Sequence, residues 1–335
     1  MKPFDQLTYQ GRIRRIRRLA QNALSQYDLD IKSMRFISMW TNGIFLLQTH
    51  TGPSYVLRVC TPGWRSETDL RAEIAWLQAL DRDTDIHVPV PMATRSGETL
   101  VQASAPGISP CFCMVMGWLP GQVLIGPRLN ETNLHLMGAL FARLHQHGLD
   151  FKPPPGFSQH RMDQVYARGE EDALFAAPHQ DAFTPRSRTV CSRAWKKVGD
   201  AFARRYGDPA GLRVIHNDLW HENIKVHRGQ LYPYDFEDTI WGYPVQDMAM
   251  ALLDLLTDVE ADAYPPLRRA FRAGYESHST WPETYAEEIN TFQVGRIFWM
   301  LNHTAREDAK NLPKEVATWT PVLEKFLDTG AVEKP

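Results

Sequence analysis

The chain changes character after roughly its first third. Up to residue 116, apolar runs short enough for strands alternate with turn residues; beyond that point apolar positions recur with helical spacing. Met34–Trp40 and Ile44–Thr49 flank the turn Thr41-Asn42-Gly43, and Thr51-Gly52-Pro53 turns the chain into Tyr55–Val59. Gly97–Gln102 and Cys111–Met116 supply two further strands, which makes a five-stranded antiparallel sheet. Val88-Pro89-Val90-Pro91 must be extended, because a proline excludes the helical region from the residue before it. Two helices are expected within this part. Residues 9–26 place Ile13, Ile16, Leu19, Ala20, Ala23 and Leu24 on one face, and Ser66–Leu80 carries a stripe of Leu70, Ile74, Leu77 and Leu80.

The remainder predicts helices over 133–146, near 245–256, 265–277 and 283–309, and a short one near 320–328. Residues 160–207 read as an inserted helical pair, preceded by the rigid loop Lys152-Pro153-Pro154-Pro155-Gly156. No internal repeat is present. The first helix carries Arg12, Arg14, Arg15 and Arg18 opposite its apolar face. An arm for an anionic surface or RNA would look like this; so would an amphipathic helix lying on a sheet, which is the reading adopted.

Composition removes several classes of function. A formal net charge of −2 over 335 residues argues against nucleic acid or an anionic membrane as partner. No apolar run approaches the length of a membrane span, and no apolar h-region follows the N-terminal Met, so a cytoplasmic protein is expected. Cys60, Cys111, Cys113 and Cys191 do not have a metal-binding spacing and read as reduced core thiols.

The chemistry is concentrated in Val214-Ile215-His216-Asn217-Asp218-Leu219-Trp220-His221-Glu222-Asn223-Ile224, followed by Tyr234-Asp235-Phe236-Glu237-Asp238. An Asp and an Asn stand five positions apart between apolar flanks, and a second carboxylate follows a hairpin-like spacer. Phosphoryl transfer needs such a set: a carboxylate to orient and deprotonate a hydroxyl, and hard oxygens to hold Mg²⁺ on nucleotide phosphates. Each of Asp218, Asn223 and Asp235 alone could be a turn residue. Their combination with His216 and the apolar flanks is what carries the functional reading.

In these motifs the chain resembles the aminoglycoside phosphotransferase/choline kinase-like family, over roughly residues 30–310. The family pattern H-x-D-x-x-x-x-N and a following D-x-x-D turn fall on His216, Asp218, Asn223, Asp235 and Asp238. The resemblance implies an α+β, bilobal protein kinase-like fold. Its N-lobe, 1–116, would be five-stranded and antiparallel; 117–121 would be the hinge, and 122–335 a mainly helical C-lobe. It further implies ATP and Mg²⁺ as cofactors, with Asp218 as catalytic base and Asn223 and Asp235 as metal ligands. Arg58, in place of the usual lysine, would bind the nucleotide phosphates and be positioned by Glu73, with Glu67 as a possible substitute. Asn42 and Gly43 would cover the phosphates, and Met116 and Trp118 would flank and enter the hinge that meets the adenine.

His216 and His145 are expected as structural anchors, and Asp247 as a brace for the catalytic loop through backbone amides. Glu237 and Asp238 suit a second Mg²⁺ or a cationic acceptor, while His221 and Glu222 are read as solvated or near the acceptor. The acceptor implied is a small-molecule hydroxyl, aminoglycoside-, choline- or homoserine-like. Trp281, Tyr285, Phe292, Phe298 and Trp299 could form a cation cage but suit a core better, and Glu283, Glu287, Glu288, Glu307 and Asp308 read as a solvated face. Two alternatives stay open. The segment around Asp235 and Val245-Gln246-Asp247-Met248 is similar to a bacterial stress-response Ser/Thr kinase, which would make the acceptor a protein, and a nucleotide-binding pseudokinase would use the same fold. The oligomeric state is not legible.

Overall fold

The computed structural model describes residues 2–4 and 6–335. Contacts divide the chain into two compact units. The first comprises Met1–Gly121, Lys152–Gln159 and Tyr232–Glu237; the second comprises Gln122–Phe151, His160–Leu231 and Asp238–Pro335.

The first unit is built on an antiparallel sheet of β1 (Ile31–Met39), β2 (Asn42–Thr49), β3 (Tyr55–Cys60), β4 (Val101–Ala105) and β5 (Ile108–Gly117), in the order β1-β2-β3-β5-β4. The fourth strand starts later than the sequence suggests, because Gly97 takes φ 88° in a turn closed on Thr94. Helix α1 (Tyr9–Leu24) is capped by Thr8, whose hydroxyl accepts from the Gly11 amide at 3.2 Å. It buries Ile16, Leu19, Ala20 and Ala23 with Phe45, Leu57, Val59 and Val115 of the sheet. Its arginines also serve the sheet: Arg17 lies over the Phe45 ring and donates to Met34 O at 3.2 Å. Helix α2 (Glu67–Asp83) opens with a capping box between Ser66 and Asp69.

The second unit is mainly helical: α3 (Glu131–Asp150), α4 (Pro185–Tyr206), α5 (Pro244–Asp258), α6 (Tyr264–Glu276), α7 (Glu288–Glu307) and α8 (Leu312–Thr329). The expected helical pair over 160–207 is one helix, α4. The stretch before it is instead a run of bends and turns with a 3-10 helix at Ala177–Ala182, in which Met162 N donates to Trp241 O and Asn302 Oδ1 accepts from the amides of Ala173 and Leu174. Helix α7 begins at Glu288 rather than near 283, after Glu287 in a left-handed conformation, φ 71°. Helix α8 is longer than expected and runs through Pro321. Small strands frame the loops of interest: β6 (Gln122–Val123), β7 (Arg213–Ile215), β8 (Ile224–His227), β9 (Gln230–Pro233) and β10 (Ile240–Gly242). Phe292 and Phe298 are core, the latter edge-on to Trp195.

All four cysteines are free and buried. Burial pushes the Cys111 and Cys191 thiols up to about 12, far from the thiolate that nucleophilic chemistry needs. Among the described residues no helix is long and apolar enough to cross a membrane.

Candidate active site

In the first unit the expected phosphate-binding residues converge on β3. Arg58 stands mid-strand, paired with Ile44 on one side and Met114 on the other, and is 3% exposed. Such a cation is tolerable only if neutralised. Glu73 of α2 does so with both carboxylate oxygens: Oε1 accepts from Nη1 at 2.9 Å and Oε2 accepts from Nη2. Burial pulls the Arg58 pKa down, but Glu73, then Glu237 and Asp235, raise it beyond its ordinary value, so the guanidinium stays charged. The alternative partner, Glu67, is exposed and bonds Arg71 one turn along α2.

Gly43 is small for a packing reason: a Cβ there would lie 2.3 Å from Cγ2 of Ile16 in α1. The next feature is Asp235-Phe236-Glu237. Asp235 is exposed and left-handed at φ 65°, a conformation aspartate tolerates better than most residues and one that collects at functional sites. Phe236 is fully buried against the Trp76 ring. Glu237 is not poised for a second metal or a cationic acceptor. It is 6% exposed and points into its own unit, accepting from Asn42 Nδ2, from Thr41 Oγ1 at 3.2 Å and from Trp64 Nε1 at 3.1 Å. Arg58 Nη1 lies 4.0 Å from its Oε2, and Arg65 Nε donates to its backbone oxygen at 3.3 Å. Met116 is buried near the end of β5, and the Trp118 amide is taken by Ser54 O at 3.2 Å.

In the second unit, α3 lies directly on β7. A Cβ on Gly148 would come within 2.0 Å of Val214 O, so only glycine allows this approach. The strand delivers His216 and Asn217 to a loop braced by Asp247. The Asp247 carboxylate accepts from the amides of His216 (3.2 Å) and Asn217 (2.6 Å), which holds Asn217 at φ 67°. Asp247 also bonds His145 Nε2 at 3.1 Å, and His145 Nδ1 meets the Tyr275 hydroxyl at 3.2 Å. Burial keeps the His145 pKa below its ordinary value despite Asp247. A neutral imidazole with its proton on Nε2 satisfies both contacts.

His216 Nδ1 accepts from the Asp218 amide at 3.3 Å, so it anchors the loop as expected. Asn223 Nδ2 donates to Asp218 O (2.8 Å) and Oδ2 (3.1 Å), which leaves Asn223 Oδ1 as the oxygen it can offer a metal. Another partner of Asp218 is not signalled in the sequence. Arg296 of α7 donates from Nη2 to Asp218 Oδ1 at 3.3 Å, with its guanidinium 4.3 Å from the centre of the Trp299 ring. No motif marks this arginine; its only trace is a position one helical turn before Trp299. His221 is likewise not solvated: it is buried, bonded to Asp258 at 3.0 Å, and held below its ordinary pKa by burial. Glu288 belongs to no solvated face either, being buried and paired with Arg205 at 2.7 Å. Half-buried Asp254 has its pKa pushed up to about 6 by burial, with Arg296 opposing.

Hard oxygen donors, a braced Asp and a buried arginine–glutamate pair are the parts that phosphoryl transfer requires, and residues 33–286 match the model of the phosphotransferase enzyme family. The chain belongs to that family. An uncharacterised Synechocystis sp. protein (strain ATCC 27184 / PCC 6803 / Kazusa) is 32% identical over 299 residues, 82% of this chain and 74% of the relative. Two solved structures share the kinase-like fold. A microcompartment-associated aminopropanol kinase superimposes with a TM-score of 0.78 at 20% identity, covering 94% of this chain and 99% of that one. An amicoumacin kinase, solved with AMP-PNP, Ca²⁺ and Ami, gives 0.77 at 18% identity over 95% of both. This phosphotransferase is therefore an enzyme, and phosphoryl transfer is the chemistry its site residues have to serve.

Proposed function

We propose that this phosphotransferase moves the γ-phosphoryl group of ATP to a hydroxyl of a small molecule, with Asp218 as the base. The observation that carries the reading is the braced loop. Asp247 fixes the backbone on one side of Asp218, and Asn223 and Arg296 engage its two carboxylate oxygens, so the carboxylate has a set direction before any substrate arrives. Orientation is the larger contribution such a residue makes when bond breaking leads bond making in the transition state. The acceptor hydroxyl donates its hydrogen bond to Asp218 and loses the proton to it late in the transfer.

Arg58, with its fork fixed by Glu73, supplies the permanent positive charge for the nucleotide phosphates. Asn42 and Gly43 belong to the turn that covers the phosphates, and Met116 and Trp118 to the segment that meets the adenine. Asn223 and Asp235 are the metal ligands in this reading. An amide oxygen and a carboxylate suit Mg²⁺, which when bound offsets phosphate charge. The amicoumacin kinase bound to AMP-PNP and Ca²⁺ supports a nucleotide and a divalent cation here. Together with the aminopropanol kinase, it supports a small-molecule acceptor over a protein.

The test is ATP consumption against amino alcohols, choline-like compounds, aminoglycosides, sugars and a generic protein substrate. Asp218→Asn keeps the size and hydrogen-bonding reach of the side chain but removes the base. It should lower kcat by at least about a hundredfold while Mg·ATP still raises the melting temperature; turnover at the wild-type rate sinks the assignment.

A further inference from the structure

Arg296 gives Asp218 one hydrogen bond of 3.3 Å, from a side chain that is 22% exposed. A long, half-exposed arginine has many rotamers, and a single contact of that length does not select among them. The ring of Trp299 does. It lies one turn further along α7, with the Arg296 guanidinium 4.3 Å from its centre. Trp299 is itself only partly covered, so its ring needs support of its own. Its Nε1 donates to Glu170 Oε2 at 3.0 Å, and His303 stacks on the ring at 5.6 Å with 9° between the planes. The chain around Glu170 is fixed in turn. Fully buried Asn302 of α7 accepts from the amides of Ala173 and Leu174 and donates from Nδ2 to Glu171 O at 3.0 Å. On the other side of Glu170, Arg168 Nη2 donates to Thr239 O at 2.9 Å, and Gln246 Nε2 donates to Met162 O at 2.7 Å.

We propose that Glu170 is a positioning residue for phosphoryl transfer, acting through Trp299 and Arg296 on the carboxylate of Asp218, a role that rests on Asp218 as the base assigned above. Holding Glu170 in place is then what the irregular stretch before α4 contributes to the reaction. In the step it serves, the acceptor oxygen bonds to the γ-phosphorus while the bond from that phosphorus to ADP breaks. ADP leaves with the electron pair, and the acceptor proton passes to Asp218. Glu170 acts in two ways. As an acceptor at the Nε1 edge it fixes the orientation of the indole, and hence the face on which Arg296 can lie. As an anion it draws on the indole proton and leaves the ring richer in electrons, which strengthens its hold on a guanidinium. Arg306 Nη1 lies 3.9 Å from the same Oε2, beyond hydrogen-bond reach, so Trp299 is the donor that Glu170 engages.

Turnover of Mg·ATP is measured on the full chain with 1-amino-2-propanol as acceptor and with water, whose attack on the γ-phosphorus needs the same base. Glu170→Ala should lower kcat about fivefold, less than Arg296→Ala does. The KM for ATP should stay within about twofold, and the melting temperature should fall by no more than about 3 °C. Glu170→Gln keeps an acceptor oxygen for Nε1 and should bring kcat back to within about twofold of wild type. Trp299→Phe keeps a ring for Arg296 but removes the donor that Glu170 holds, and should match Glu170→Ala. In the Arg296→Ala background, Glu170→Ala should cost no further kcat, because the contact it supports is already gone.

A loss of kcat that persists in the Arg296→Ala background would overturn the proposal, since Glu170 would then reach the reaction by another route. So would a melting temperature that drops together with kcat and a Glu170→Gln variant that restores neither, the behaviour of a strut. A raised acceptor KM at unchanged kcat would make Glu170 an acceptor contact instead. Asp218→Asn, assayed alongside, separates this role from the reading beneath it. Wild-type turnover in Asp218→Asn removes the base and the role of Glu170 with it, as would a wild type that consumes ATP with neither acceptor. An inactive Asp218→Asn beside an unaffected Glu170→Ala defeats the role of Glu170 alone.

Discussion

Two arginine–carboxylate pairs organise this enzyme, and they are made differently. Arg58–Glu73 is bidentate and sealed, with side-chain exposures of 4% and 2%. Arg296–Asp218 is a single contact of 3.3 Å between side chains exposed by 22% and 27%. A buried pair draws little net stability from its attraction, because both ions have lost their water; its consequence is that neither partner can be removed alone. A half-exposed pair is nearly neutral in energy and can be exchanged for another contact. The first suits a permanent charge for phosphates. The second suits a base whose hydrogen-bond partner changes during the reaction.

Breaking the sealed pair should have the larger effect. Arg58→Ala leaves Glu73 and Glu237 buried beside a void, at a cost of about 3–5 kcal/mol. Equilibrium unfolding should show this, and Mg·ATP should no longer raise the melting temperature. A loss below about 1 kcal/mol would mean that the pair is far better hydrated than its burial indicates. Arg296→Ala should reverse the pattern. Stability should change by less than about 1 kcal/mol, while kcat falls about tenfold because Asp218 Oδ1 loses its constraint. The KM for ATP should hold. If that KM rises instead, Arg296 acts on the nucleotide and the contrast between the two pairs fails.

The difference also explains what could be read in the sequence. Arg58 and Glu73 lie on adjacent elements joined by a short loop, and a strand position followed by a helix position is a local pattern. His216, Asp218, Asn223 and Asp235 are equally local. Asp247 was legible through the family resemblance, and its partners are backbone amides of that same motif. Arg296 was not, because its contact with Asp218 spans 78 positions and depends on how α7 packs. Glu237 could be located but not understood: a carboxylate after Asp-Phe suggested a metal or an acceptor, and only the fold turns it toward Asn42 and Trp64. The 160–176 stretch misled for a related reason. Three of its backbone amides, those of Met162, Ala173 and Leu174, are taken by Trp241 and Asn302, partners that helical periodicity cannot register.

The last effect concerns a second group that Arg296 touches electrostatically. Burial raises the Asp254 pKa from 3.8 to about 6, and Arg296 works against that rise. The sign follows from linkage: the folded state holds this proton more tightly than the unfolded chain does, so the folded form is favoured at low pH. That advantage is complete below the unfolded value near 4 and is lost as pH climbs through about 6. Asp254→Asn should therefore gain about 2 kcal/mol on wild type at pH 7.5, relative to the difference between the two at pH 4. Urea unfolding at the two pH values measures this, and an equal difference at both would mean that Asp254 does not set the pH dependence. In the Arg296→Ala background the opposing charge is gone, so the Asp254 proton should be held to still higher pH. The window in which stability falls should move upward with it. A window that does not move would confine Arg296 to Asp218.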